Sequence, residues 1–574
     1  MRYKLIDNSL NDMSNVLTTV LLNRGVSDVR TYMRLSDSCI EDYNNLENIH
    51  EAVECFKKHF DADNDIAILV DCDPDGYTSA AMIYSYIKTQ KPDYPVSYLI
   101  HRNNKAHGLA KMNSGDFEIP QGTKLLIIPD AGTNDTEQCN KLIDDDIDVI
   151  IIDHHEMESV GRDNKAIVVN NQVSDKYTNK AFSGAGIAYE FLRAIDDLDW
   201  TTYADDYLDL VALAQISDVM DLRSCPTRYY VNIGLRQVKN KMLSALIEAQ
   251  DYSMKSKINP TTIAWFITPI LNAMIRIGSY EERELLFRAF VEDYEEFDYK
   301  KRSGEVVKEN IYDRAARLCK NAKSRQDKSR DKLYASLESA VNYDDKVAIL
   351  VTDDADSKGI VGLSAMKLAD SIKRPVVVLQ DIGKGILSGS LRNYDNSPIT
   401  DLKELLNQTG LFKAMGHANA AGAEIAQSNL QAAKDMLNEQ LKDIVYDSSY
   451  LCDFIVDFDE MDVPFVTDID SYDWVWCTGI KEPVVAVTNI SINRDDMHLQ
   501  GKNHDSVAFE HEGVKYVMFK MSEDNGLLQF INNWGDDEDS ITFDAVVTCS
   551  VNAYEGILQP QCIIKDISIT TQNN

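Results

Sequence analysis

Short runs of β-branched and aliphatic residues, each ended by acidic residues or glycine, mark the first third of the chain. IAILV (66–70), LLII (125–128) and DVIII (148–152) have strand length and are almost wholly apolar, the pattern of strands buried on both faces of a parallel sheet. Helical stretches separate them, among them TSAAMIYSYIKTQ (78–90) and GIAYEFLRAIDDL (186–198). This alternation predicts βαβ units and a mostly parallel sheet. Residues 1–60 read as a helical lead-in and 222–290 as helices and connections. The charged stretch 281–340, nearly free of Gly and Pro, predicts one or two linking helices. A second α/β pattern runs through KVAILVT (346–352), RPVVVL (374–379), GILSGSL (385–391) and Glu424–Ile425. Alternating segments at 483–492, 515–521 and 543–554 then predict a small antiparallel, OB-like domain. The expected class is α/β, in five parts: a helical segment (1–60), a parallel-sheet domain (61–280), a linking helical segment (281–340), a second α/β domain (341–445) and a β domain (446–574).

The residues that end those runs carry the chemistry. They form DCDPDG at 71–76, PDAG at 129–132 and DHH at 153–155, joined by SDVMD at 217–221 behind an apolar helix (208–216). Ligands of open α/β sheets bind outside the carboxyl ends of the strands. Asp71, Asp73, Asp75, Asp130, Asp153, His154, His155 and Asp218 are therefore expected at one edge. Carboxylates crowded there repel one another unless a divalent cation lies among them. Mixed carboxylate and imidazole donors suit Mn²⁺ or Mg²⁺. Taken singly, an Asp after a strand also serves as a helix N-cap, and paired histidines also occur in cores; the conjunction of four motifs is what points to a site. Such a site, with two ions, clamps a phosphoryl group and activates water, which predicts phosphoester or phosphoanhydride hydrolysis.

Composition adds constraints. The 574 residues carry a net charge of −35, so any nucleic-acid site has to be a local basic strip on an acidic body. Residues 300–332 invert the charge, with Lys300, Lys301, Arg302, Arg314, Arg317, Lys320, Lys323, Arg325, Lys328 and Arg330. They read either as a phosphate-tracking strip or as a solvated helix face. The acidic run GDDEDS (535–540) is a candidate surface for a basic partner. Ten cysteines without a CxxC pair suggest reduced thiols. Neither a membrane span nor a secretory signal is recognisable, and a cytoplasmic location is expected.

In order along the chain, LNRGV (22–26), DCDPDGYTSAAM (71–82), PDAG, DHH, LVALAQISDVMDL (210–222), PILNAMIRIG (269–278), SKGIVGLSAMKLADSIKRPVVVL (357–379), GHANAAG (416–422), TGIKEPVVAVTNI (478–490) and NAYEGILQPQ (552–561) resemble the motifs of the DHH phosphoesterase superfamily, and within it the RecJ-like single-strand-specific exonucleases. The resemblance covers nearly the whole chain. It implies a DHH catalytic domain, a DHH-associated domain and an OB-like domain. It implies Mn²⁺ or Mg²⁺, two ions in all, at Asp73, Asp75, Asp130, His154 and Asp218. Asp71, Asp153 and His155 complete the catalytic motifs, with His155 contacting the scissile phosphate. Arg102, Arg276, Ser390 and Arg392 match positions that capture a 5′-phosphate, and His417 matches one that reaches the substrate backbone. The implied activity is 5′-to-3′ digestion of single-stranded DNA to 5′-mononucleotides in repair, recombination or replication, with single-strand-binding or helicase proteins as partners. A DHH phosphodiesterase acting on short oligonucleotides or cyclic dinucleotides, and a non-catalytic replication-accessory protein, are the alternatives. The chain departs from the family pattern at Met415–Gly416, where two glycines are usual, and at Pro74, where a small residue is usual.

Overall fold

A computed structural model describes the chain except residues 104–105, 111, 159–160, 162, 302, 354–358, 523–524, 533–539, 555–556 and 571–574. Arg302, most of GDDEDS, and parts of the SKGIVG and NAYEGI motifs thus lie outside the described residues. The chain forms two compact units, Met1–Leu318 with Ser449–Asn574, and Cys319–Ser448.

In the larger unit, five parallel strands lie in the order Val96–Ile100, Ile66–Val70, Leu125–Pro129, Asp148–Asp153 and Ile167–Asn170. Ile66–Val70 and Leu125–Pro129 are buried at every position, which is why no polar residue interrupts them. Chain order reverses between these two strands, so the sheet has its switch point where Val70 and Pro129 end, the usual place for a ligand cleft. One face packs Ala67, Leu69, Leu126, Ile128 and Ile151 against Cys139 and Leu142 of the amphipathic helix Thr136–Asp144. The helices Pro74–Gln90, Gly184–Asp199 and Leu208–Ser217 pack on one another.

The first forty residues do more than lead into the parallel sheet. Tyr3–Leu5 pairs in parallel with Tyr450–Cys452, and Val16, Val20, Leu21 and Tyr32 share a core with Phe454, Trp476, Tyr516 and Phe543. Arg24 grips the buried Asp453 through both nitrogens, at 2.8 and 2.9 Å. The C-terminal stretch of this unit contains a seven-stranded sheet that is mixed rather than purely antiparallel, because Phe454–Asp457 pairs in parallel with Val485–Asn493 and Val514–Met518 with Ile557–Ile569. Trp476 and Tyr516 lie in its core.

The linking stretch is not helical throughout. A hairpin, Glu296–Lys300 with Val306–Asn310, precedes the helix Ile311–Ser339. Its alternating exposure explains why charge content alone concealed it. Much of the basic strip is paired internally. Arg317 bonds Glu309 and lies over Tyr299, Lys323 bonds Asp327, and Arg330 bonds Asp327 and Asp331. The solvated-face reading fits these contacts better than a phosphate track. Cys39 and Cys225 form a disulfide, contrary to the expectation of wholly reduced thiols. Among the described residues no helix is long and apolar enough to cross a membrane.

The smaller unit holds five strands in the order Phe412–His417, Ala420–Ala426, Ile386–Arg392, Val376–Asp381 and Ala348–Thr352, of which only the last two pair in parallel.

Candidate active site

DCDPDG turns directly from strand into helix. Asp73 is the N-cap of Pro74–Gln90, its Oδ1 accepting the Gly76 N–H at 2.9 Å. Pro74 occupies the first helical turn, where a missing N–H costs nothing, so this departure is structurally neutral. Asp73 combines the capping and the edge-facing roles. A Cβ on Gly76 would lie 2.6 Å from the Asp71 Cβ, so only glycine lets the helix start this close to Asp71.

Asp130 holds a left-handed backbone, φ +62°, a conformation tolerated by Asp and common at functional sites. Its carboxylate is buried, and neither oxygen has a hydrogen-bond partner. His154 Nε2 lies 3.2 Å from Asp130 Oδ1, 3.4 Å from Asp218 Oδ2 and 3.8 Å from Asp75 Oδ2. Asp75 is steadied by the start of Gly184–Asp199, accepting from the Ser183 hydroxyl and the Gly184 and Ala185 N–H groups at 3.0, 2.7 and 2.8 Å. Asp218 caps Leu208–Ser217 and precedes Val219, a β-branched residue at φ +59°. Three overlapping sets bring their donor atoms within 4.8 Å of one another: Asp130, His154 and His155; Asp75, His154 and Asp218; Asp71, Asp73 and Asp130.

The electrostatics match a cation site without its charge balance. Burial, then the neighbouring carboxylates, push Asp130 well above the usual carboxylate range, Asp73 up to about 6 and Asp218 up to about 8. Burial lowers His154, keeping it the neutral ligand form. Asp153 behaves oppositely. Burial works against its charge, yet bonds from the His155 ring (2.8 Å), the His154 N–H (2.7 Å) and the Thr133 N–H (3.1 Å) hold it well below the usual range. Buried oxygens without donors, beside a neutral imidazole, fit a hard divalent cation.

Sequence reasoning missed a second group around Asp71. His107 Nδ1 lies 2.8 Å from Asp71 Oδ2, and the Gly108 N–H donates to Oδ1 at 2.9 Å. The buried His101 has its Nε2 4.0 Å from Asp71 Oδ1 and its Nδ1 2.5 Å from Asp116. These residues sit in an irregular stretch with no periodicity; the close spacing of two histidines and Arg102 was the available signal.

A profile of the DHH family, N-terminal domain, matches residues 65–215, and a DHHA1 domain profile matches 344–443. The chain is 35% identical to a Bacillus subtilis protein provisionally named as the SPbeta prophage-derived single-strand DNA-specific exonuclease YorK, over 99% of this chain and 98% of that one. The chain belongs to the RecJ-like family of DHH phosphoesterases. It is 23% identical to the single-stranded-DNA-specific exonuclease RecJ of Bacillus subtilis, over 97% of this chain and 68% of the relative. In fold it is similar to RecJ of Thermus thermophilus solved with Mn²⁺, with a TM-score of 0.73 and 17% identity over 98% of this chain and 76% of that one.

The phosphate candidates of this RecJ-like chain fall in both units. In the larger unit, Arg102 is exposed beside the Tyr280 ring, 6.0 Å away. Its backbone is pinned by the buried Arg283, which donates to the carbonyls of His101 and Arg102 at 2.8 and 2.9 Å. Arg276 is within electrostatic reach of Asp73. In the smaller unit, Arg392 and His417 both register with Ala420, and Ser390 and Met415 with Gly422. Opposed residues share a face, so these four side chains line one face with small residues between them. Met415 accommodates its side chain because it is an exposed strand residue, and only Gly416, at φ +123°, needs glycine.

Proposed function

We propose that this chain is a divalent-metal-dependent exonuclease that degrades single-stranded DNA from the 5′ end and releases 5′-mononucleotides, serving repair, recombination or replication. The observation that carries this reading is the buried Asp130 carboxylate, unpartnered beside His154 and surrounded by Asp71, Asp73, Asp75 and Asp218. Asp73, Asp75, Asp130, His154 and Asp218 are the residues that would hold Mn²⁺ or Mg²⁺, two ions in this reading. When bound, the cations supply positive charge that eases proton loss from the attacking water and offsets charge gathering on the phosphate.

The remaining roles belong to the chain. Asp153 fixes His155 through Nδ1; burial works to lower the His155 pKa, but the bond and charge of Asp153 outweigh it and leave it raised. His155 is thus assigned to meet the scissile phosphate with its other ring nitrogen. Arg102 and Arg276 in the larger unit, and Arg392 and Ser390 in the smaller, are assigned to phosphate binding, the arginines through guanidinium forks and the serine through its hydroxyl. His417 is assigned to the substrate backbone. The test is digestion, in Mn²⁺, of an oligonucleotide labelled at either end, with and without a 5′-phosphate, beside His154→Ala. Stepwise mononucleotide release from the 5′ end, absent in the variant, is expected. Intact long strands with cleaved dinucleotides would move the chain to the short-substrate phosphodiesterases.

A further inference from the structure

His107 and His155 are built alike. Each Nδ1 lies 2.8 Å from the oxygen of a buried carboxylate, Asp71 for the first and Asp153 for the second. An imidazole committed through one nitrogen has its other nitrogen on the far edge of the ring, in a set orientation. The two ring centroids are 4.8 Å apart, and the side chains are 52% and 40% exposed. The carboxylates beneath them are almost wholly buried. Two imidazoles thus stand side by side at the open edge of an acidic floor.

The two residues after His107 are bonded to acids through their backbone. The Gly108 N–H bonds Asp71, and the Leu109 N–H bonds Asp135 at 2.6 Å. A Cβ at Gly108 would collide with a carboxylate oxygen of Asp135, so the chain runs tight against that acid. Yet His107 belongs to none of the three donor sets at the cluster. His107 is thus a half-exposed ring, anchored on one side and outside these candidate cation sets.

We propose that His107 is a second catalytic imidazole, paired with His155, whose Nε2 contacts a non-bridging oxygen of the scissile phosphodiester. The inference rests on the phosphodiester-hydrolysis reading above. A phosphodiester entering at this edge brings an anion against several carboxylates. Any cation held by these carboxylates would offset part of the phosphate's charge, and the oxygens turned away from them would need donors of their own. In the imidazolium form, with Nδ1 donating to Asp71 and Nε2 left to donate outward, His107 supplies that donor beside His155.

The rival role is purely positional, in which His107 serves only to hold Asp71. His107→Asn separates the two, since the asparagine amide reaches the place of Nδ1 and keeps the bond to Asp71 while Nε2 is lost. His107→Ala removes both. Rates on bis(p-nitrophenyl) phosphate and on a labelled single strand would be measured with Mn²⁺ affinity by calorimetry and with melting temperature. Both variants are expected to lose about 100-fold in kcat, with Mn²⁺ affinity within about two-fold of the parent. His107→Asn working within about three-fold of the parent would overturn the proposal. So would a tenfold loss of Mn²⁺ affinity whose rate defect disappears at higher Mn²⁺. A parent protein inactive on both substrates would remove the underlying reading and the inference with it, whereas an active parent with an active His107→Asn removes the inference alone.

Discussion

Gly184 lies directly against Asp130: a Cβ at 184 would sit 2.6 Å from both the Cβ and Oδ1 of that carboxylate. The same residue donates its N–H to Asp75. One glycine therefore sets the approach of a helix start to two acidic groups of the cluster. Gly184→Ala is expected to push Asp130 out of place and weaken Mn²⁺ binding about 10–100-fold, the scale of losses when a ligand's support is removed. Calorimetric titration with Mn²⁺ checks this, with circular dichroism showing an intact fold. Unchanged affinity would mean that Asp130 is not a ligand.

The cluster makes the metal-free protein sensitive to alkali. Asp73 and Asp218 hold their protons up to about 6 and about 8 in the folded chain, against about 4 for an unfolded carboxyl. The folded state thus binds more protons, and its stability falls as pH rises from about 4 through 8. Melting in EDTA should show a decreasing transition temperature across that window. Saturating Mn²⁺ should reverse the loss, by about 2.7 kcal/mol at 100 times the dissociation constant, and most strongly at the alkaline end. A melting temperature flat in EDTA would contradict the like-charge crowding.

Asp453 ties the N-terminus to the C-terminal domain. It accepts two bonds from Arg24, one from Asn23 at 3.0 Å and one from the Val484 N–H at 3.0 Å, and it is fully buried. Removing one partner of a buried pair leaves an uncompensated charge, so Asp453→Ala should cost about 3–5 kcal/mol. Urea unfolding measures the loss, and limited proteolysis should reveal early cleavage within the first forty residues.

Arg392 tests end recognition. Its guanidinium lies near Gly362, where an added Cβ would come within 2.7 Å of Nη2. Arg392→Ala should reduce the preference for a 5′-phosphorylated over a 5′-hydroxyl strand about tenfold or more, the loss of one charge-assisted bond. Hydrolysis of bis(p-nitrophenyl) phosphate, which has no such end group, should stay near the parent rate. A parallel fall in both would assign Arg392 to structure or general binding.

Val219 stores strain beside Asp218. A β-branched residue at φ +59° is costly, and this one is 64% exposed, so no packing requires it. Val219→Gly should raise stability by about 1 kcal/mol if the relieved strain outweighs the entropy glycine adds to the unfolded chain. Chemical denaturation checks the sign.

Local pattern determined much of this protein. Apolar runs ended by Asp71, Asp130 and Asp153 carried both the parallel strands and the edge on which the acids meet, because burial on two faces and the turn at a strand's carboxyl end are encoded within a few residues. Tertiary structure alone decided the rest. The pairing of Tyr3–Leu5 with Tyr450–Cys452 joins opposite ends of the chain, and no local period records a partner so distant. The hairpin Glu296–Lys300 with Val306–Asn310 shows only a short alternation, with Phe297 and Tyr299 half-buried, inside a charged stretch that reads as helix. His107 reaches Asp71 across 36 residues from an irregular loop, where side-chain placement depends on packing against Asp135 rather than on spacing. The acids were readable from sequence because strands deliver them; the groups that orient them were not, because only the folded chain brings those within hydrogen-bond distance.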